Sequence, residues 1–363
     1  MNEYLARQNQ IRAFLTDRGL EALLLRRVSS FAWATCGAAS FINRASTEGT
    51  GSLLITPQAN YLITNNIEAV RMDKEEKLKE QGWTFSVIPW HSSHDPVPEL
   101  ARGLKLGADG FYPGAVDVSA ELSLLRTHLS LEERQRFREL GRLCAEAMNE
   151  AMYLIRPGQT EYEIAGLLAG AAEKRGVQAI VNLIATDERI YDFRHPLPTE
   201  KKLDRYAMVV LCGRQKGLVC SLTRLVYFGT IPAELKKKIE AVARVDATFL
   251  HATRPGRTVG AVFQAALKAY AETGFAEEWQ LHHQGGPAGY EPREFIAVPT
   301  SPEKVSIGQA YAWNPSITGC KSEDTILVGE TSNEVITEIP GWQTIKVEIE
   351  GKEYARLAVL EVR

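Results

Sequence analysis

Short apolar runs alternate with helix-period segments along this chain, and that alternation restricts it to folds in which helices pack on open sheets. Residues 4–19 place Leu5, Ile11, Phe14 and Leu15 at near-helical spacing and end at a glycine, a common helix stop. An apolar run over 19–25 reads as a central strand. Residues 51–56 and 61–64, separated by Pro57-Gln58-Ala59-Asn60, read as two strands joined by a turn. A charged helix over 66–81 and a strand over 84–89 complete an α/β unit. Residues 92–116, rich in His, Asp, Pro and Gly, are expected to form loops with one short strand.

A break falls near residues 126–132. Ser130 followed by Leu131-Glu132-Glu133 has the form of an N-cap with first-turn acids, opening an amphipathic helix that runs to about residue 155. Arg156-Pro157-Gly158-Gln159 stops it. Thr160 and Glu163 have capping-box spacing and start a second helix, ending near Lys174-Arg175-Gly176. Strands are predicted at 179–184, 208–212 and 224–228, and helices at 232–253 and 259–273. The C-terminal part reads as strands at 310–313, 322–328, 334–337, 343–349 and 358–362. The expected architecture is α+β in two domains, 1–129 and 130–363.

Composition narrows the function class. A chain of 363 residues with a formal net charge of -3 lacks the basic excess that nucleic acid or a membrane surface demands. It contains no apolar run of about 18 residues, and its charged N-terminus does not read as a signal peptide. Five cysteines without a C-x-x-C pair fit buried thiols in a reducing compartment. The expectation is a cytoplasmic enzyme acting on a small molecule or short peptide, with no nucleic-acid or membrane partner.

Four stretches are specific enough to carry a resemblance: Ile155-Arg156-Pro157-Gly158-Gln159-Thr160-Glu161, the loop from His195-Pro196-Leu197-Pro198 to Leu203, Gly217-Leu218-Val219-Cys220-Ser221-Leu222-Thr223-Arg224, and Ser322-Glu323-Asp324-Thr325-Ile326-Leu327-Val328. In this order and spacing they resemble the pita-bread fold shared by methionine aminopeptidase, aminopeptidase P, prolidase and creatinase. The first half resembles the N-terminal domain that the last three carry.

The resemblance implies a dinuclear metal centre held by two aspartates, a histidine and two glutamates. Carried over position by position, the aspartates fall on Val210 and Ser221, the histidine on Gly286 and the first glutamate on Asn314; only the last glutamate is kept, as Glu323. No aspartate lies between Asp204 and Asp246, so a shift in alignment does not restore the pair. Hard divalent cations need several anionic or imidazole ligands, and the expectation is therefore no metal and no other cofactor.

The creatinase branch cleaves a C–N bond without metal, using a histidine of the loop where His195 stands, and places an arginine at the position of Arg293. Resemblance to it implies His195 as general acid/base and Arg293 as the partner of a substrate carboxylate, which a planar guanidinium suits. Glu323 and Asn314 would orient the polar remainder. The glutamates that hold creatine correspond to Thr223 and Asn314, both neutral, which argues against creatine itself. The resemblance also implies a homodimer in which an arginine of the first domain reaches the neighbouring subunit's active site, with Arg44 as the candidate.

Two adjacent histidines on a strand point to opposite faces, so at most one of His282 and His283 is expected to face the cleft, with His282 favoured. Glu323, left without a metal, needs a cationic partner, for which Lys321, Arg224 and His282 are candidates. Arg224 is a second substrate-binding candidate, although a structural ion pair is the expectation for it. Cys212 and Cys220 read as packing. The leading reading is a metal-independent C–N hydrolase. Its rivals are a non-catalytic pita-bread binding protein and a metal-dependent Xaa-Pro aminopeptidase or dipeptidase.

Overall fold

The computed structural model describes residues 3–363. They divide into two compact units, one reaching to Arg126 and including Lys216–Leu218, the other formed by Thr127–Gln215 and Val219–Arg363.

In the first unit α1 (Glu3–Asp17), β1 (Ala22–Arg27), α2 (Val28–Ala34), β2 (Glu48–Ile55), β3 (Asn60–Asn65), α3 (Ala69–Lys74), β4 (Thr84–Ile88), α4 (Val97–Leu100), β5 (Leu106–Ala108), β6 (Val116–Asp117) and α5 (Ser119–Arg126) follow in order. One sheet with strand order β4-β3-β2-β1-β5-β6 organises them. Leu23, Leu24 and Leu25 of β1 are all buried, as expected for a strand covered on both faces. The charged helix expected over 66–81 is a correction: only α3 is helical there. Met72 and Leu78 are the buried apolar residues of that stretch, too few to anchor a four-turn helix.

The second unit begins with α6 (Leu131–Leu154) and α7 (Glu161–Glu173). Both carry the capping boxes read from sequence: Ser130 Oγ accepts from Glu133 N at 3.0 Å, and Thr160 Oγ1 accepts from Glu163 N at 3.1 Å. Next come β7 (Gln178–Thr186), α8 (Arg189–Asp192), β8 (Tyr206–Gln215), β9 (Leu218–Phe228), α9 (Ala233–Ala252) and α10 (Val259–Glu272). After a 3₁₀ turn at Glu278–Leu281 the chain forms β10 (Gly285–Ala288), β11 (Ala310–Trp313), β12 (Ser316–Ile317), β13 (Cys320–Lys321), β14 (Asp324–Val328) and β15 (Asn333–Val335). It ends with β16 (Thr344–Ile349), β17 (Lys352–Leu357) and β18 (Leu360–Val362).

Two four-stranded sheets, β10-β11-β14-β15 and β18-β9-β8-β7, frame this unit. A buried cluster joins β7, β8 and β11 to α9 and α10, with Trp313 stacked on Phe249 and Tyr311. The α+β class read from the sequence is the one adopted. Several elements were missed, among them α2, α5, α8 and β17. β17 pairs with β16 through a hairpin in which Glu350 (φ 50°) and Gly351 (φ 76°) are both left-handed, the geometry of a two-residue primed turn.

Candidate active site

A cavity of about 470 Å³ opens in the second unit, bounded by β7, β8, the His195 loop, the segments either side of β10, and the start of β14. His195, His283, Arg293, Asn314, Lys321 and Glu323 line it together with apolar side chains.

The loop bearing His195 is tied down on both sides. Buried Glu161, at the start of α7, accepts from Thr199 N at 3.0 Å and Thr199 Oγ1 at 2.7 Å, and pairs with Arg189, whose Nη2 donates to Leu197 O. On the other side Arg194 donates to Thr318 Oγ1 at 2.7 Å and pairs with Glu278. Pro196 is buried beside the exposed His195. The imidazole is thus held on a fixed loop while its ring stays accessible.

His282 and His283 follow the 3₁₀ turn, where Gln284 Nε2 donates back to His282 O at 2.6 Å and Gln284 Oε1 accepts from Tyr270. Both rings approach His195, with centroids 4.9 Å and 5.5 Å away, and lie 4.5 Å from each other. Of the two only His283 lines the cavity, while His282 is buried and packs against His195, which corrects the preference for His282. The pair precedes β10 and lies outside any ladder, so the alternation of a pleated strand does not govern it.

His195 Nε2 and His282 Nε2 are 3.2 Å apart. Burial, with Lys321 nearby, lowers the pKa of His195 against a smaller opposing pull from Glu323. Burial and Lys321 push His282 down to about 2, and burial with Arg293 pushes His283 down to about 4. All three imidazoles are neutral at pH 7.

The charged group opposite is a three-membered cluster. Glu323 Oε1 pairs with Arg293 at 2.9 Å, while Oε2 pairs with Lys321 at 2.9 Å and accepts from Thr223 Oγ1 at 2.5 Å. All three charged side chains are buried. Burial would raise the Glu323 carboxyl, but Lys321 and Arg293 hold it well below the usual carboxylate range. Two cations against one carboxylate leave the cavity wall net positive.

Behind this cluster lies a separate buried network. Arg224 bonds Asp324 at 2.8 Å and the carbonyl oxygen of Thr337, and Arg356 bridges Asp324 and Asp246. Arg224 is therefore a structural ion-pair member and does not line the cavity, which corrects its candidacy as a substrate-binding residue. Glu323 takes Lys321 and Arg293 as side-chain partners, in place of Arg224 or His282. Arg44 is exposed between α2 and β2 of the first unit.

The five positions implied for a dinuclear metal centre do not fit one. Val210 has no donor atom. Ser221 Oγ accepts from Arg293 at 3.0 Å. Asn314 is a neutral amide, and both oxygens of Glu323 already face cations. At Gly286 even a Cβ would stand 2.4 Å from Phe295 O, so a histidine has no room. Gly286→Ala is expected to cost about 1–3 kcal/mol through overpacking, read as a lower urea midpoint at unchanged m-value. The nitrogens of His195, His282 and His283 lie within 4.8 Å of one another, close enough to share an ion. Lys321 and Arg293, however, put positive charge beside them.

With this geometry in place, the family can be tested. The pattern of metallopeptidase family M24 matches residues 135–330, more than half of the chain. The chain belongs to family M24. Its fold is accordingly the pita-bread fold of the prolidases and Xaa-Pro peptidases. A Xaa-Pro dipeptidase from Bacillus anthracis superposes with a TM-score of 0.77 at 20% identity, covering 93% of this chain and 98% of that one.

Among curated relatives, the "Agropine synthesis cyclase" of Rhizobium rhizogenes is 31% identical over 140 residues, 36% of this chain and 35% of that protein. An uncharacterised peptidase of Staphylococcus saprophyticus is 23% identical over 230 residues, 61% of this chain and 65% of its own length. The chain thus spans about a third and just under two thirds of these relatives. No helix among the described residues is long and apolar enough to cross a membrane.

Sequence reasoning named Lys321 only as a possible partner of Glu323 and ranked His283 below His282, whereas both Lys321 and His283 line the cavity. Lys321 was within reach, since it stands two residues before Glu323 and alternate residues of an extended segment share a face. The convergence of His283 depends on a backbone path that no periodicity announces.

Proposed function

We propose that this M24 protein cleaves a C–N bond in a small carboxylate-bearing molecule without a metal ion. The observation that carries the reading is the Arg293–Glu323–Lys321 cluster, which stands where the family implies a cation pair and presents net positive charge instead. Arg293 and Lys321 attract the substrate carboxylate. His195, neutral at pH 7, takes a proton from the attacking water. It then returns that proton to the leaving nitrogen, so one water adds across the bond and the amine departs neutral. His282 occupies His195 Nε2 and leaves Nδ1 to exchange with the substrate.

A second reading draws on the relative named a cyclase. An internal nucleophile of the substrate would replace water, with effective molarity supplying what a metal-bound hydroxide otherwise provides. Product mass separates the two: hydrolysis retains one added water, whereas cyclisation releases the amine and leaves a ring. For both, purified protein is expected to carry far less than one transition-metal ion per chain, and turnover of an identified substrate is expected to be indifferent to EDTA. Two tightly held ions per chain, or activity lost to chelator and restored by metal, would return the protein to the ordinary metallopeptidases.

A further inference from the structure

The cavity wall facing the charged cluster is apolar, and strand register explains why. β7 and β8 pair antiparallel with Val181 opposite Cys212 and Leu183 opposite Val210. Alternate residues share a face, so these four side chains form one patch, and all four line the cavity. The other face is accounted for separately, since Asn182 Nδ2 donates to Ala165 O on α7 at 2.8 Å. Ile296, 44% exposed, and Pro292 extend the apolar surface from the opposite side. Val210 stands at a position where the family resemblance implies an anionic metal ligand, so apolar volume replaces charge there.

Three buried polar atoms on lining residues have no partner in the protein: Arg293 Nε, a donor, Asn314 Oδ1, an acceptor, and His283 Nδ1, whose role follows the ring's tautomer. An unsatisfied buried polar group costs about 1–3 kcal/mol, and a ligand that meets it recovers that cost. Arg293 also belongs to the net-positive cluster, so its spare donor suits an anion. Asn314 Oδ1 suits an N–H.

Resting on the reading of this cavity as the reactive site, we infer that its substrate is a small amphiphile of the N-acyl amino acid type, with a carboxylate toward Arg293 and Lys321, an amide N–H toward Asn314 Oδ1, and a compact aliphatic side chain against Val181, Leu183 and Val210. The carboxylate fixes orientation. The aliphatic group displaces water from the patch, and the amide C–N bond comes within the region swept by His195.

The test is a calorimetric binding series on the full chain carrying His195→Ala, which removes the reacting imidazole and lets substrates be titrated as ligands. N-acetyl-leucine is the reference probe. N-acetylglycine removes the aliphatic group, N-acetylleucinamide removes the charge, and 4-methylpentanoate removes the amide. N-acetyl-leucine is expected to bind about tenfold or more tighter than N-acetylglycine, from burial of its isobutyl group, and about tenfold tighter than the uncharged amide. A severalfold loss is expected for 4-methylpentanoate. Val210→Thr, nearly isosteric, is expected to shrink the leucine-to-glycine ratio several-fold while the charge preference stays.

Equal affinities across the series, a preference for the uncharged probe, or no binding of N-acetyl-leucine at millimolar concentration would overturn the substrate class. Because binding is read without turnover, each of those results stands apart from the chelator experiment. A metal requirement there sinks the metal-free chemistry even if the binding order holds.

Discussion

Glu323→Gln is expected to destabilise the protein by about 3–5 kcal/mol, because it leaves two buried cations without their shared counterion. Glu323 is 3% exposed and meets Arg293 and Lys321 at 2.9 Å each. The glutamine keeps the shape and can still accept from Thr223, so the change isolates charge. For a unit of this size the loss corresponds to a fall in Tm of roughly 10 °C, measurable by scanning calorimetry and by urea unfolding. Adding Lys321→Met to the variant removes one stranded cation and is expected to restore part of the loss. A Glu323→Gln protein within about 1 kcal/mol of wild type would show that the cluster is solvated and stores no such dependence.

The same pair predicts a pH signature. The folded pKa of Glu323 is depressed, so its contribution is complete above the ordinary glutamate range and is lost as pH falls through the lower folded value. The variant lacks this term, and its stability is expected to decline less steeply on acidification. The histidines act in the same sense. The folded state resists protonating His282 and His283, whereas the unfolded chain protonates them near 6.5, so their contribution is also lost as pH drops below that value.

What the sequence disclosed and what it withheld divide along the range of the interactions. Ser130 with Glu133 and Thr160 with Glu163 are contacts three residues apart, and both capping boxes formed as read. The order of helices and strands, and the vacancies at Val210, Ser221, Gly286 and Asn314, were equally legible, because each is a local pattern or an aligned position. Arg293 meets Glu323 across thirty residues, and His195 meets His282 across eighty-seven. Nothing in local spacing encodes such pairs. The failed helix over 66–81 has a different cause, since its charges have helical propensity but its apolar face is too sparse to dock. The length of β8 and β9 was underestimated for a related reason: strands covered on both faces lack the alternation that marks their ends.

The charge balance links these observations to chemistry. In a metal site, carboxylates gather to meet cations. Here the cations are side chains, and a single carboxylate holds them in place while leaving one positive charge uncompensated. A lysine and an arginine in contact with Glu323 impose little on the chemical step themselves. On the proposed reading they would orient an anionic substrate, and with burial as the larger cause they help to depress the neighbouring imidazoles, so that the proton-transfer group would enter the reaction as a base.

His195→Ala is expected to lower kcat/KM by about 10²–10⁴-fold, the range for loss of a positioned acid/base, with Tm nearly unchanged because the side chain is exposed and its loop is held by Glu161 and Arg194. The pH profile decides in which form His195 begins. Its folded pKa lies below the ordinary 6.5, so a reaction that starts with the neutral ring should hold a plateau through neutrality and fall only as pH drops below that value. A reaction that starts with the imidazolium would instead gain rate on acidification. His282→Phe provides the complementary test. It removes the nitrogen facing His195 Nε2 while keeping an aromatic ring, so it should depress kcat more than it raises KM if His282 fixes which His195 nitrogen carries the proton. An unchanged profile and rate in that variant would leave His195 working alone, and the 3.2 Å contact between the two rings would then be packing rather than part of the proton path.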